Sequence, residues 1–333
     1  MAPIDPQGLP DFILIGAQKS GTSSLHHVLA SHPGVYVPPG EIHFFDVVDI
    51  EQHPDFFVRV GRGRHRRWVI HDLERDFETY VAWYRSWFRR AEAHQLIGED
   101  STTYLASRLA PRRIAELLPE VRLIAMLRDP VRRCYSHYWH NVGTGRATLS
   151  FEKTLRRRPG MLLTRGYYRD QLSRYLRHVD RDRLLVLFFE DFVADPQRVT
   201  DQACAFLGLP ESVDLTQVSA HQNAANAPLS LRGRLLLNRT LGSILGKSYN
   251  RRIPNMPGYN PSWQWHELAA DPRLERLRQA WESVRPKRPY PPMEPDTRRF
   301  LQGVYRRANH GLSEIIGMDV EARWPWMAGP TQK

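Results

Sequence analysis

The chain has 333 residues, of which 41% are apolar and only two are cysteine, so it can bury a sizeable core without a disulfide framework. A formal charge of +11 suits an anionic ligand, and equally an acidic acceptor, nucleic acid or a membrane surface. No apolar run is long enough to span a bilayer, and neither a nucleic-acid motif nor clustered His and Cys at metal spacing accompanies the charge. Membrane-spanning, nucleic-acid-binding and metal-dependent classes are therefore set aside.

The start, MAPIDPQGLPDFILIG, carries no basic region followed by a long apolar segment, so a signal peptide is not expected and a cytoplasmic location is. Phe12 to Ile15 has the length and composition of a strand covered on both faces. The glycine and hydroxyl cluster after it, Gly16, Ser20, Gly21, Thr22 and Ser23, opens a helix. The first amides of a helix lack intrahelical partners and sit at the positive end of its dipole, so this turn reads as a phosphate cradle. Lys19 lies two residues before Gly21, inside the bend. A nucleoside-triphosphatase loop would place Lys and then Ser or Thr directly after that glycine, but here Thr22 follows, which argues against a magnesium-bound triphosphate.

GEIHFFD, residues 40 to 46, sets an acid beside a histidine. An alcohol is a poor nucleophile until a positioned base takes its proton. Glu41 is the candidate base, with His43 as runner-up, on the same side if the segment is extended. Phe44 and Phe45 read as anchors that dock the loop onto a sheet. The basic stretch Arg59 to Arg67 reads as a solvated face, as does Arg156 to Arg158. Within GEDSTTYL, residues 98 to 105, Asp100 reads as a cap for the following segment, with contact to an acceptor hydroxyl as the alternative.

Leu123 to His140 reads as strand, Arg-Asp-Pro turn and helix, with Asp129 as cap and Pro130 at the first helical position. Arg128 offers a fixed fork of donors to a phosphate, and Ser136, eight residues on, can add a hydroxyl bond. Residues 166 to 176 form a helix with Leu172, Tyr175 and Leu176 on one face. Leu184 to Asp191 is strongly β-prone, and a helix from Asp195 closes at Gly208 and Pro210. Cys134 and Cys204 fall in two separate helical patterns and are not expected to pair. Residues 211 to 288 hold His221, Asn223 and Asn226 in a polar loop and Trp263, Trp265 and Trp281 nearby. They are either a helical cover or an acceptor-specificity region in a single domain spanning 1 to 333.

The loop Gly16, Lys19, Ser20, Gly21, Thr22 resembles, residue for residue, the 5′-phosphosulfate loop of sulfotransferases that use 3′-phosphoadenosine 5′-phosphosulfate (PAPS). The second motif carries the resemblance to Arg128 and Ser136, which it implies grip the nucleotide 3′-phosphate. GEIHFFD resembles the acidic signature of carbohydrate and heparan-type members, which implies Glu41 as catalytic base; a histidine base, as in the other large cytosolic group, implies His43. GEDSTTYL departs from the family segment at Asp100 and Thr103, where a lysine and a proline are usual. Lys287, Arg288, Pro289, Tyr290 and Pro291 are similar to a nucleotide-covering loop, which implies phosphate contact by Arg288.

The resemblance spans roughly residues 11 to 210 and 289 to 324. It implies an α/β, P-loop-like three-layer fold, a central parallel sheet flanked by helices, in a bacterial relative. It further implies metal-free, in-line sulfuryl transfer from PAPS to a hydroxyl of a carbohydrate, glycolipid or small natural product, with Lys19 neutralising the leaving group. No nucleic-acid partner or transmembrane segment is expected, and peripheral membrane contact suits a lipidic acceptor. A P-loop nucleotide kinase and a non-catalytic nucleotide-binding relative are the alternatives.

Overall fold

A computed structural model of the chain describes residues 7–57, 59–60, 63–68, 71–210, 213, 215, 227–228, 230–245, 256–257 and 289–329. Five parallel strands form the central sheet: β1 (Phe12–Gly16), β2 (Val35–Tyr36), β5 (Leu96–Asp100), β6 (Arg122–Leu127) and β7 (Leu184–Phe188), in the order β2-β5-β1-β6-β7. A separate antiparallel pair joins β3 (Arg59–Val60) to β4 (Arg67–Trp68).

Successive side chains on a strand point to opposite faces, and here both faces are covered. Ile13, Ile15, Leu123, Ala125, Leu127, Val186 and Phe188 enter one apolar core. Phe12, Leu14, Ile124, Met126 and Leu187 enter the other. The first is closed by α2 (Phe77–Ser86), α3 (Ala110–Leu117) and α7 (Tyr168–Tyr175), the second by α1 (Thr22–Ala30) and α9 (Pro196–Leu207). The result is three layers, helix on sheet on helix, as the sequence implied. Phe12 faces Gly98 across the β1–β5 register, and its ring occupies the space a side chain there would need.

A third apolar cluster lies around α4 (Pro130–Thr144), which packs against α5 (Phe151–Arg157), α6 (Gly160–Leu163) and the helix Pro295–Ala308. Asp129 caps α4: its side chain accepts from the amides of Val131 and Arg132 at 2.8 and 3.1 Å, and Pro130 stands in the first turn. The same carboxylate accepts from Trp326 Nε1 at 3.0 Å, tying the segment after the helix Leu312–Ile316 to the start of α4. Tyr290 stacks on Trp139, with centroids 5.8 Å apart, and Tyr135 donates to the Pro291 carbonyl at 2.9 Å, so the proline-rich loop docks on α4 as well. From within the long less readable segment, α10 (Leu231–Leu245) also reaches α4, where Asn238 donates to the carbonyls of Val142 and Ala147 at 3.1 and 2.8 Å.

One boundary differs from expectation. The β-prone run ends as a strand at Phe188, and Phe189–Ala194 is a helix, α8, with Glu190 and Asp191 in its first turn, where acidic groups favour the helix dipole. Both cysteines are buried, and neither forms a disulfide. Among the described residues no helix is long and apolar enough to cross a membrane.

Candidate active site

The carboxyl ends of β5, β1 and β6 lie side by side, the place where parallel sheets present their ligand sites. The turn after β1 is held from both sides: Ala17 N donates to Met126 O at 2.8 Å, and Arg128 Nη1 donates to Lys19 O at 3.0 Å. Lys19 and Gly21 both adopt left-handed backbone, with φ of 71° and 88°. A Cβ on Gly21 would lie 2.5 Å from the Phe189 ring, so glycine is required there for space as well as for conformation. No side chain among the described residues caps α1, which begins at Thr22, so its leading amides face the turn. Gly16 ends β1, Ser20 and Thr22 are buried, and Ser23 is exposed in the first turn of α1.

Cations gather beside this loop. Arg128 lies over the Phe189 ring at 4.5 Å, and its buried Nε has no partner among the described residues. Arg165 donates from Nη1 to Gln18 Oε1 at 2.7 Å. Ser136 is buried on the first turns of α4. Burial pulls the Lys19 ammonium below its ordinary value; the Glu41 charge opposes this and Arg128 adds to it. Burial also drives His137 well down, helped by the charges of Arg165, Arg133, His140 and Lys19, so a neutral imidazole stands within the group. A set of half-buried cations with one buried donor, Arg128 Nε, unsatisfied, around a glycine turn without room for a Cβ, fits a phosphorylated ligand.

The acid arm comes from the segment after β2. Its chain departs from the extended form in which the sequence sets Glu41 and His43 on one side. His43 instead takes left-handed backbone, φ 60°, and this bend brings its ring back onto Glu41. His43 Nε2 stands 3.2 Å from Glu41 Oε2, and Thr102 Oγ1 donates to Glu41 Oε1 at 2.6 Å. His43 Nδ1 lies 3.0 Å from Thr103 Oγ1, whose own proton goes to Asp46 Oδ2 at 2.7 Å. The Thr103 oxygen is thus left to accept from Nδ1–H, and Nε2–H is left to serve Glu41, which makes His43 an imidazolium. Burial pushes the Glu41 carboxyl up, but the hydrogen bond and charge of His43, with Thr102 and His53 behind them, hold it down to about 2. Burial likewise pulls His43 down, and the bond to Glu41 with the charges of Glu41, Asp46 and Glu99 reverses it, so His43 is raised.

Asp46 and His53 complete this network, with His53 Nε2 2.8 Å from Asp46 Oδ1. Burial raises Asp46, and the charge and hydrogen bond of His53 outweigh it; burial likewise pulls His53 below its ordinary value, against the charge and hydrogen bond of Asp46. His43, Asp46 and His53 bring metal-ligand atoms within 4.8 Å of one another, a grouping the sequence spacing did not reveal. Those atoms are engaged in the bonds just given. Phe44 and Phe45 are fully buried, with Phe44 stacked on Tyr84 at 4.2 Å, as expected of anchors.

Asp100 does not cap the segment after β5, contrary to the sequence reading. It ends that strand with Oδ2 3.3 Å from His26 Nδ1 on α1, while buried Oδ1 has no partner among the described residues. Burial raises its carboxyl, and the nearby Glu41 charge adds to the rise against the pull of His26. Arg288 and Lys287, with His221, Asn223, Asn226, Trp263, Trp265 and Trp281, lie outside the described residues. The structure therefore brings Gly16, Lys19, Ser20, Gly21, Thr22 and Arg128 to one arm and Glu41 with His43 to the other, with Ser136 buried on α4. It adds Asp46, His53, Arg165, His137 and the hydroxyl run Ser101 to Thr103.

The model of a family described as "Sulfotransferase family" matches residues 10–213. The bifunctional heparan sulfate N-deacetylase/N-sulfotransferase 4 of Mus musculus is 26% identical over 98% of this chain and 32% of its own length. The heparan sulfate glucosamine 3-O-sulfotransferase 3B1 of the same species is 30% identical over 60% of this chain and 46% of its own. The chain thus spans about a third to a half of the length of these curated relatives. The crystal structure of a sulfotransferase from Alicyclobacillus acidocaldarius shares the fold, with a TM-score of 0.59 at 24% identity over 95% of this chain and 98% of that one.

Proposed function

We propose, starting from the fact that this chain belongs to the sulfotransferase family, that it transfers a sulfuryl group from PAPS to a hydroxyl of a carbohydrate, glycolipid or small natural product. Members of that family are enzymes, and PAPS is their usual donor. A carbohydrate acceptor is favoured by the names of the relatives, which are heparan sulfate glucosamine sulfotransferases. When bound, PAPS supplies the activated sulfuryl group; the turn from Gly16 to Ser23, with Arg128 and Ser136, supplies matching donors for its two phosphate ends. In this reading Lys19, inside the turn, neutralises charge on the departing bisphosphate.

Glu41 is the base in this reading. The single observation that carries it is that Glu41, 26% exposed and held by Thr102 and His43, is close enough to half-buried Lys19 for their charges to act on each other. Acid arm and phosphate arm therefore converge on one space. Held well below its ordinary value by His43, Glu41 is ionised and ready to accept at neutral pH. Its weak basicity is offset by the acidity an attacking hydroxyl gains as its oxygen bonds to sulfur, so proton transfer falls late in an in-line displacement. His43 orients the carboxylate and cannot itself accept a proton while it is an imidazolium.

The test is incubation with labelled PAPS and an extract of the source cells, followed by mass analysis of products that gain a sulfo group. Wild type should label at least one product, and Glu41→Gln should not. Labelling that proceeds unchanged in Glu41→Gln, with adenosine 3′,5′-bisphosphate still bound, overturns the assignment of the base.

A further inference from the structure

Glu99, next to last on β5, takes no part in the chemistry above and is fully buried. Its two oxygens receive three hydroxyl protons: Oε1 from Ser101 Oγ at 2.8 Å and from the Tyr104 hydroxyl at 2.6 Å, and Oε2 from the Tyr84 hydroxyl. Two of those hydroxyls are at the same time acceptors for the main chain of the base-bearing loop. Ser101 Oγ takes the amides of Ile42 and His43 at 3.1 and 3.0 Å, and the Tyr104 oxygen takes the amide of Phe45 at 3.3 Å. A hydroxyl has one proton to give and two lone pairs to offer. With both pairs on Ser101 engaged by amides, its proton is directed at Glu99, and so is that of Tyr104. Three amides of one short stretch thus hang, through two hydroxyls, on one carboxylate oxygen.

We propose that Glu99 is the positioning residue of the active site: through Ser101 and Tyr104 it fixes the main chain at Ile42, His43 and Phe45, and so sets where the Glu41 carboxylate stands. This inference rests on the reading of Glu41 as base. An ionised carboxylate buried on an apolar sheet carries a large desolvation cost, and an apolar residue of similar volume would fill the space without it. What the apolar residue could not do is accept three protons whose donors have no other outlet. Burial pushes the Glu99 carboxyl up to about 7, against the pull of Tyr104, Tyr84, Ser101 and the His43 charge. The titratable groups around it are Tyr84 from α2, Tyr104 from the segment after β5, His43 from the base loop and Tyr175 from α7. Only the ionised form is an acceptor at every lone pair, so the hold on the loop is strongest above that pH.

Amide hydrogen exchange on the full chain tests the inference without any acceptor. In Glu99→Gln, the amides of Ile42, His43 and Phe45 should exchange about tenfold faster or more, while Ile124 and Met126 on β6 keep their protection. Ser101→Ala should release Ile42 and His43 alone, and Tyr104→Phe should release Phe45 alone. These two variants keep the carboxylate and carry the test if Glu99→Gln does not fold. Sulfo transfer from labelled PAPS to the acceptors of the extract should fall about tenfold in Glu99→Gln, with an unchanged Kd for adenosine 3′,5′-bisphosphate and a rate that no longer rises through about pH 7. Unchanged exchange at all three amides in a folded variant overturns the positioning role. Faster exchange with wild-type turnover would instead sink Glu41 as the base, which separates the two failures.

Discussion

Arg128 donates through Nη1 to the main-chain oxygen of Lys19, 3.0 Å away, across 109 residues of sequence. The segment after β6 therefore shapes the turn after β1 as well as lining it. Arg128→Ala removes a charged donor from the ligand and the brace from the loop together. The affinity for adenosine 3′,5′-bisphosphate should drop about ten- to a hundredfold by calorimetry. Arg128→Lys should recover little of it, since an ammonium cannot serve two acceptors in a fixed fork.

Lys19→Ala should separate turnover from binding. A donor aimed at charge that develops only during transfer lowers turnover about a hundredfold or more when lost, and affects the affinity for the desulfated nucleotide far less. Equal losses in both would place Lys19 in ground-state binding instead. Rapid-quench measurement with labelled PAPS beside a binding titration gives the comparison.

His43→Asn should move the acid limb of the pH–rate profile upward. Its charge and hydrogen bond hold Glu41 down at about 2 against burial. Without them burial prevails, and the carboxyl climbs past its ordinary value of 4.5. A variant that keeps the wild-type limb would show that the imidazole does not govern the base.

Two glutamates act oppositely on stability. Glu99 is raised from 4.5 to about 7, so its contribution is full below pH 4.5 and is lost as pH rises through about 7. Glu41 is lowered to about 2, so its contribution is present above 4.5 and is lost as pH falls toward about 2. Denaturant midpoints of Glu99→Gln should lack the decline between pH 4.5 and 7 seen in wild type, and those of Glu41→Gln should lack the acid-side decline.

Gly98→Ala tests the sheet beneath the site. An added Cβ would collide with the tip of the Phe12 ring, on a strand pair with helices on both faces. Overpacking of this kind costs about 2 kcal/mol, read as a lower urea midpoint with an unchanged slope.

Much of the donor arm was legible because its signals are local. Strand, glycine turn and helix fall within Phe12 to Ala30, and the Asp129 cap and Pro130 lie beside Arg128. The anchoring of Phe44 and Phe45 was also readable from two adjacent aromatics. The surroundings of Glu41 were not, because they are assembled from distant segments. His43 meets Thr103 60 residues away, and Asp46 is bonded by that threonine and by His53. Thr103, a departure from the family pattern, turns out to be a buried junction between two histidines and an acid. Asp100 reads as a cap in the sequence because its true partner, His26, projects from a helix 74 residues earlier in the chain. The left-handed turn at His43 had no cue in the sequence, because few non-glycine residues of any kind take that backbone.

The indole of Trp326 ends on the carboxylate that starts α4, one residue from Arg128. A fluorophore is thereby wired to the mouth of the proposed nucleotide cleft. Arrival of a bisphosphate at Arg128 should perturb that hydrogen bond and shift the emission, giving an optical readout of ligand occupancy in unlabelled protein that Trp326→Phe would extinguish.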